Sequence, residues 1–130
     1  MKLLALKDTY VVWRPEDLSE VDVTAILTAG TQELGGVFTT NEEISVVCPV
    51  DNLPENPTGE VESGWRGLKI EGPLDFGLTG ILNSVTKPLA EHHISIFAIS
   101  TYDTDYVLIK DDKFEEACDV LEANSFEVQR

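Results

Sequence analysis

The chain has 130 residues and an ordinary apolar content of 42%, which places it among folded proteins of one compact domain or two small units. It is strongly acidic: 24 Asp and Glu stand against 9 Lys and Arg, a net charge of −15. Both halves share the excess, with 12 acidic to 3 basic side chains in residues 1–63 and 12 to 6 in residues 64–130. Such a surface repels phosphate backbones and anionic lipids, so neither nucleic acid nor membrane is expected as a partner.

The start, "MKLLALKDTYVVW", has too short an apolar run for a signal peptide before Lys7 and Asp8 interrupt it. No stretch approaches the ~20 apolar residues of a membrane span, so a cytoplasmic location is expected. "TYVVWRP", 9–15, reads as a strand. "PEDLSEVDVTAILTAG", 15–30, reads as a short helix through Leu18, Val21, Ile26 and Leu27, closed by Gly30. "GGVFTTNEEISVVCP", 35–49, reads as two strands around a polar turn. Residues 49–65 hold Pro49, Pro54 and Pro57 with Gly59, Gly64 and several acids, and read as a linker.

The second half is more regular. "WRGLKIEG", 65–72, is a short strand ended by Gly72-Pro73. Leu78, Ile81, Leu82, Val85 and Leu89 then recur at helical spacing, with Asp75 as N-cap, and Pro88 should end or kink that helix. Residues 94–102 and 104–110 form a hairpin. Ile94 to Ile99 place apolar side chains on both faces, so from 96 to 99 neither face looks solvated. "DDKFEEACDVLEANS" is a helix with Asp112 and Glu115 as a capping box, an apolar stripe of Phe114, Ala117, Cys118 and Leu121, a solvated acidic face, and a stop at Asn124. "FEVQ" supplies a last strand.

That order, β-α-β-β-α-β, predicts an α+β, ferredoxin-like fold with antiparallel strands and both helices on one sheet face. The first half carries a shorter echo of it: "VFTTNEEISVV" parallels "AISTYDTDYVLI" as apolar pair, hydroxyl pair, acidic turn and apolar alternation. The echo fits either a diverged tandem repeat, whose second unit would cover the exposed sheet face, or convergence of two hairpins. The expected units are residues 1–62, with the linker, and 63–130.

Two stretches could hold a ligand. In "EGPLDFGLTG" a loop between strand and helix start offers unpaired N–H groups at the positive end of a helix dipole, suited to a carboxylate. It lacks the spacing of a dinucleotide or phosphate loop, and on residues alone an ordinary strand-to-helix turn is the favoured account. In "STYDTD", Ser100, Thr101 and Thr104 offer hydroxyls, and Asp103 and Asp105 accept from an ammonium or guanidinium; a solvated turn is the plain alternative. Together the two segments match a zwitterion. His92-His93 diverge and cannot chelate as an i,i+4 pair would; they suit a helix C-terminus. Cys48 and Cys118, 70 positions apart in apolar surroundings, read as packing thiols. No catalytic set is legible, so neither enzyme activity nor a cofactor is expected.

"GWRGLKIEGPLDFGLTGIL…PLAEHHISIFAISTYDTDYVLIKDD", within residues 64–123, resembles the ACT domains of the group related to the CASTOR arginine sensors and their small bacterial tandem-ACT members. The first half resembles the group through "YVVWRP" and "EISVVCP". The resemblance implies two packed ACT-like units and a non-enzymatic amino-acid sensor with its ligand at an ACT–ACT interface. It also implies a homodimer, with a protein partner reading the signal. Carried over by position, the ligand-facing residues are Gly72, Pro73, Leu74, Asp75 and Phe76 in the loop, and Ser100, Thr101, Tyr102, Thr104 and Asp105 in the hairpin, Asp105 meeting the ligand's amino or basic end. A ligand-free dimerisation module is the competing reading.

Overall fold

The computed structural model describes residues 1–28, 33–72 and 79–130. The chain forms two compact units, one of Met1–Leu6 with Arg66–Arg130 and the other of Lys7–Trp65. The sequence boundary after residue 62 lies near the second division, but Met1–Leu6 group with the C-terminal unit. The cause is a strand longer than the sequence suggests: β1 runs Lys2–Arg14 rather than 9–15, and Leu3 and Leu6 are buried within it.

The unit of residues 7–65 contains the later part of β1, the short helix α1 (Val23–Thr28), β2 (Gly36–Thr39), β3 (Ile44–Pro49) and the beginning of β4 (Glu60–Ile70). Its strand order is β2-β3-β1-β4, the order of a ferredoxin-like unit in which the last strand lies beside the first. Single turns of 3-10 helix at Leu18–Glu20 and Val50–Asn52 accompany α1. Val11, Trp13, Ile26, Val46 and Cys48 make its core. The stretch read as a linker is integrated here: Trp13 Nε1 donates to the Thr58 carbonyl at 2.7 Å, Asn52 Nδ2 to the Ile26 carbonyl at 2.8 Å, and β4 starts within it at Glu60.

The other unit contains the first residues of β1, the end of β4, α2 (Ile81–Glu91), β5 (Ile96–Ser100), β6 (Asp105–Lys110), α3 (Asp111–Ala123) and β7 (Glu127–Gln129). From β4 onward this is the expected β-α-β-β-α-β. The sheet holds one more strand than expected: β7 pairs with β1, in parallel, through Lys2↔Glu127 to Leu4↔Gln129. The Glu71 N–H donates to the Lys2 carbonyl at 2.9 Å on the other side. Leu3, Leu68, Ile70, Val107 and Ile109 on the sheet meet Val85 and Leu89 of α2 and Phe114, Ala117, Cys118 and Leu121 of α3. This burial supplies the main stabilisation, at ~25 cal/mol per Å² of apolar surface removed from water. Both cysteines are buried and free; burial pushes each thiol up to about 11, which keeps it protonated and unreactive.

Helix boundaries are set by backbone geometry more than by the expected side chains. α2 is capped by Gly80, at φ 78°; Asp75, the expected N-cap, lies outside the described residues. Pro88 does not end α2, which runs three residues further. It forfeits only the bond to the carbonyl of Ser84, an exposed residue. Both α2 and α3 end in the same motif. His93 (φ 58°) and Ser125 (φ 72°) occupy the left-handed position after the cap. The Ile94 N–H returns to the Leu89 carbonyl and the Phe126 N–H to the Leu121 carbonyl. His92 Nδ1 lies 2.9 Å from the Pro88 carbonyl, as a helix-terminal histidine should. α3 starts at Asp111 with Lys110 as N-cap and no side-chain cap, so Asp112 and Glu115 form no capping box. That device occurs instead at Asp17 and Glu20. Glu115, with Asp119 and Glu122, binds the Arg130 guanidinium, so part of the acidic face read as merely solvated is ion-paired.

β5 is the last strand in its unit's order, and the expected double burial of 96–99 is incomplete: Ile99 is buried, Ile96 and Phe97 are half-buried and Ala98 is exposed. An edge strand has a neighbour on one side only, which leaves part of its surface to solvent.

Gly59 has φ 72°, and a Cβ there would lie 1.9 Å from the Arg14 carbonyl oxygen; at Gly80 a Cβ would meet nothing within 4 Å. Gly59→Ala is therefore expected to destabilise the fold by at least about 3 kcal/mol, and Gly80→Ala by only about 1 kcal/mol of backbone strain. Urea unfolding of the two variants measures the difference; equal losses would contradict the packing described at Gly59.

Candidate functional site

Strands β5 and β6 pair antiparallel from Ile96↔Ile109 to Ser100↔Asp105, so the turn between them is four residues, Thr101–Thr104. The Thr101 N–H donates to the Thr104 carbonyl at 2.9 Å, and Thr101 Oγ1 donates to the same oxygen at 3.0 Å. At the base of the turn Ser100 Oγ donates to Asp105 Oδ1 at 2.5 Å. This bond holds one carboxylate oxygen across the strand pair. A carboxylate with one oxygen so fixed keeps acceptor capacity on the other for an ammonium or guanidinium group.

Thr104 is the residue that positions the turn. It is 3% exposed, the one buried polar residue among those described, and its Oγ1 donates to the Ile70 carbonyl at 2.7 Å. Ile70 is the last residue of β4, and Gly72, exposed, stands two positions further on. The hairpin turn is thereby fastened to the strand end from which the glycine loop departs. Thr104 was expected to offer its hydroxyl outward; its proton is committed to Ile70, and only the oxygen's acceptor capacity remains. Ser100, Thr101 and Tyr102 are exposed, Tyr102 at 81%, and Asp105 is half-buried. Pro73, Leu74, Asp75 and Phe76 lie outside the described residues.

Ser100, Thr101, Thr104 and Asp105 are thus gathered in one turn, anchored beside the strand that leads to Gly72. The Ile70 carbonyl, which anchors it, had no sequence signal, because a backbone acceptor carries no residue identity. No group of three or more His, Cys, Asp or Glu side chains among the described residues is disposed to hold a metal ion. No helix among the described residues is long and apolar enough to cross a membrane.

The ACT-domain family matches residues 60–123. Among curated proteins, the chain is similar to the cytosolic arginine sensor for mTORC1 subunit 1. It is 31% identical to the Bos taurus protein over 100 residues and 41% identical to the Mus musculus protein over 99, in each case across 70% of this chain. The match spans 30% of those relatives' length. A solved protein from Agrobacterium tumefaciens superposes with a TM-score of 0.84 at 31% identity, covering 98% of this chain and 91% of that one. The aspartate kinase of Clostridium acetobutylicum shares the fold alone, with a TM-score of 0.65 at 16% identity over 94% of this chain and 34% of the enzyme.

If Thr104 anchors the turn, Thr104→Val, which keeps the shape and removes the donor, should cost about 1–3 kcal/mol, the range for leaving a buried acceptor unpaired. Ser100→Ala, at the exposed end of β5, should cost less. Thermal denaturation of both variants checks the ranking, and the reverse order would remove Thr104 from this role.

Proposed function

The chain belongs to the ACT-domain family, in its CASTOR-related group, and from that premise we propose that it is a non-enzymatic amino-acid sensor. The ligand is held where an ACT unit of one copy meets an ACT unit of another. Asp105 receives the ligand's ammonium or basic end. Ser100, Thr101 and Tyr102 line the same edge, and Gly72 with the following Pro73, Leu74, Asp75 and Phe76 offers backbone N–H groups to the ligand's carboxylate.

The observation that carries this reading is the fastening of the Ser100–Asp105 turn to Ile70, with the Asp105 carboxylate held by Ser100. A charged group fixed in advance loses less entropy on binding than one on a free side chain. The relatives named as arginine sensors favour a basic amino acid, which the carboxylate suits. Signalling follows from differential affinity: a ligand that binds one arrangement of the paired copies more tightly shifts the population toward it, and a protein partner reads the change. A cytoplasmic location accords with the relatives' names.

A ligand-free dimerisation module is the second reading, favoured by the half-buried Ile96 and Phe97 on edge strand β5. Thermal denaturation with each common amino acid separates the two. A basic amino acid at 100 times its Kd should stabilise the protein by about 2.7 kcal/mol, and Asp105→Ala should abolish the shift. No shift with any amino acid at millimolar concentration, in a protein that light scattering shows to be dimeric, would replace the sensor reading with the second one.

A further inference from the structure

Strand β7 is lightly secured. It has 3 residues, pairs in parallel with β1, and rests on the core through the half-buried Phe126 and Val128, while Glu127 and Gln129 are exposed. Few buried contacts and exposed backbone bonds put such a segment at the low end of local stability. The chain also enters it through a strained residue, Ser125, at φ 72° without being glycine. The far end is held by Arg130, which follows β7 directly. Its Nη1 donates to Glu115, and its Nη2 donates to Asp119 at 2.8 Å and to Glu122. These carboxylates stand at i, i+4 and i+7 of α3, so they share one helix face and repel one another unless a cation lies among them. A planar guanidinium can serve all three, whereas a lysine ammonium is a point charge.

β7 also bears on the candidate site. The Glu127 N–H donates to the Met1 carbonyl at 3.0 Å, and the next carbonyl, that of Lys2, accepts from the Glu71 N–H at 2.9 Å on the other side. Glu71 follows Ile70, whose carbonyl anchors Thr104. A run of hydrogen bonds, all within one unit, therefore joins the Arg130 contact to the turn: β7 to the start of β1, β1 to the end of β4, and β4 to Thr104. Contiguous bonded contacts of this kind can carry energetic coupling between two places in a fold.

We infer that Arg130 and the three carboxylates of α3 form an electrostatic clasp that regulates the candidate site. Closed, it keeps β7 on β1 and the end of β4 in place for the Thr104 anchor. Opened, it lets β7 leave and loosens that anchor, so affinity for ligand falls. The regulation rests on the ligand-facing reading of the Ser100–Asp105 turn. Salt is the effector, because it screens exposed ion pairs. Leu3 is fully buried and keeps β1 in the core when β7 leaves, so the opening is local. By reciprocity, a ligand that tightens the turn also tightens β7.

Amide hydrogen exchange of the full chain, read residue by residue by NMR, tests the clasp without a ligand. In Arg130→Gln the Glu127 amide should exchange at least about tenfold faster and the Glu71 amide at least about threefold faster, with the β6 amides unchanged. The unaltered protein should move the same way between about 0.01 M and about 1 M salt, where the Debye length falls from ~30 Å to ~3 Å, and Arg130→Lys should restore part of the protection. An unchanged Glu127 amide overturns the clasp. A faster Glu127 with an unchanged Glu71 means that β7 frays alone, and faster exchange throughout β6 means a global loss of stability; either overturns the regulation. Isothermal titration with L-arginine and L-lysine then reads the site, where Arg130→Gln should weaken binding at least about threefold. Equal affinity in both proteins overturns the regulation alone. Binding of neither amino acid to either protein overturns the basic-amino-acid reading of the site, and its regulation with it.

Discussion

The buried hydrogen bond from Thr104 to the Ile70 carbonyl is the contact on which the candidate site depends. A hydroxyl at 3% exposure must find a partner or forfeit its bond to water. The partner it finds is the last carbonyl of β4, so one bond sets the hairpin turn against the strand that feeds the glycine loop. The turn's own bonds, from Thr101 to Thr104 and from Ser100 to Asp105, fix its shape but not its place. Without the link to Ile70 the turn would be an ordinary solvated hairpin end.

Around that contact the unit is conventional in its energetics. Two helices cover one sheet face, and each ends in a left-handed residue, His93 and Ser125, that returns the chain to the core through Ile94 and Phe126. Non-glycine residues in that conformation carry strain of ~1 kcal/mol, which the returned hydrogen bonds and apolar contacts offset. The acidic surface is partly neutralised where it is densest: Arg130 engages three carboxylates of α3, and Arg66 stacks 4.2 Å from the Phe114 ring while its Nη1 lies 3.5 Å from Asp111. Exposed pairs of this kind add little individually, but they moderate the self-repulsion of a chain with few cations.

The second half was legible because its elements are local. Helical spacing from Ile81 to Leu89, alternation through β6 and the apolar stripe of α3 each declare themselves within a dozen residues, and the β-α-β-β-α-β order follows from their sequence. Errors arose where a local signal had two solutions. Asp112 and Glu115 have the spacing of a capping box, yet α3 begins two residues too early to use it, while the same device at Asp17 and Glu20 closes only a 3-10 turn. Prolines and acids between residues 49 and 65 suggested a linker, because composition does not reveal that Trp13 and Thr58 would meet.

Residue order by itself determined the ferredoxin-like arrangement of the C-terminal unit, the two hairpins and the inert thiols. These follow from periodicity, turn chemistry and charge, all properties of neighbours in the chain. Tertiary structure decided what distant segments do to one another. It sent Lys2–Leu4 to pair with β7, turned Thr104 inward to Ile70, and brought Arg14 to Glu43. Each of these joins residues 12 or more positions apart, where only the folded backbone, and no local preference, specifies the partner.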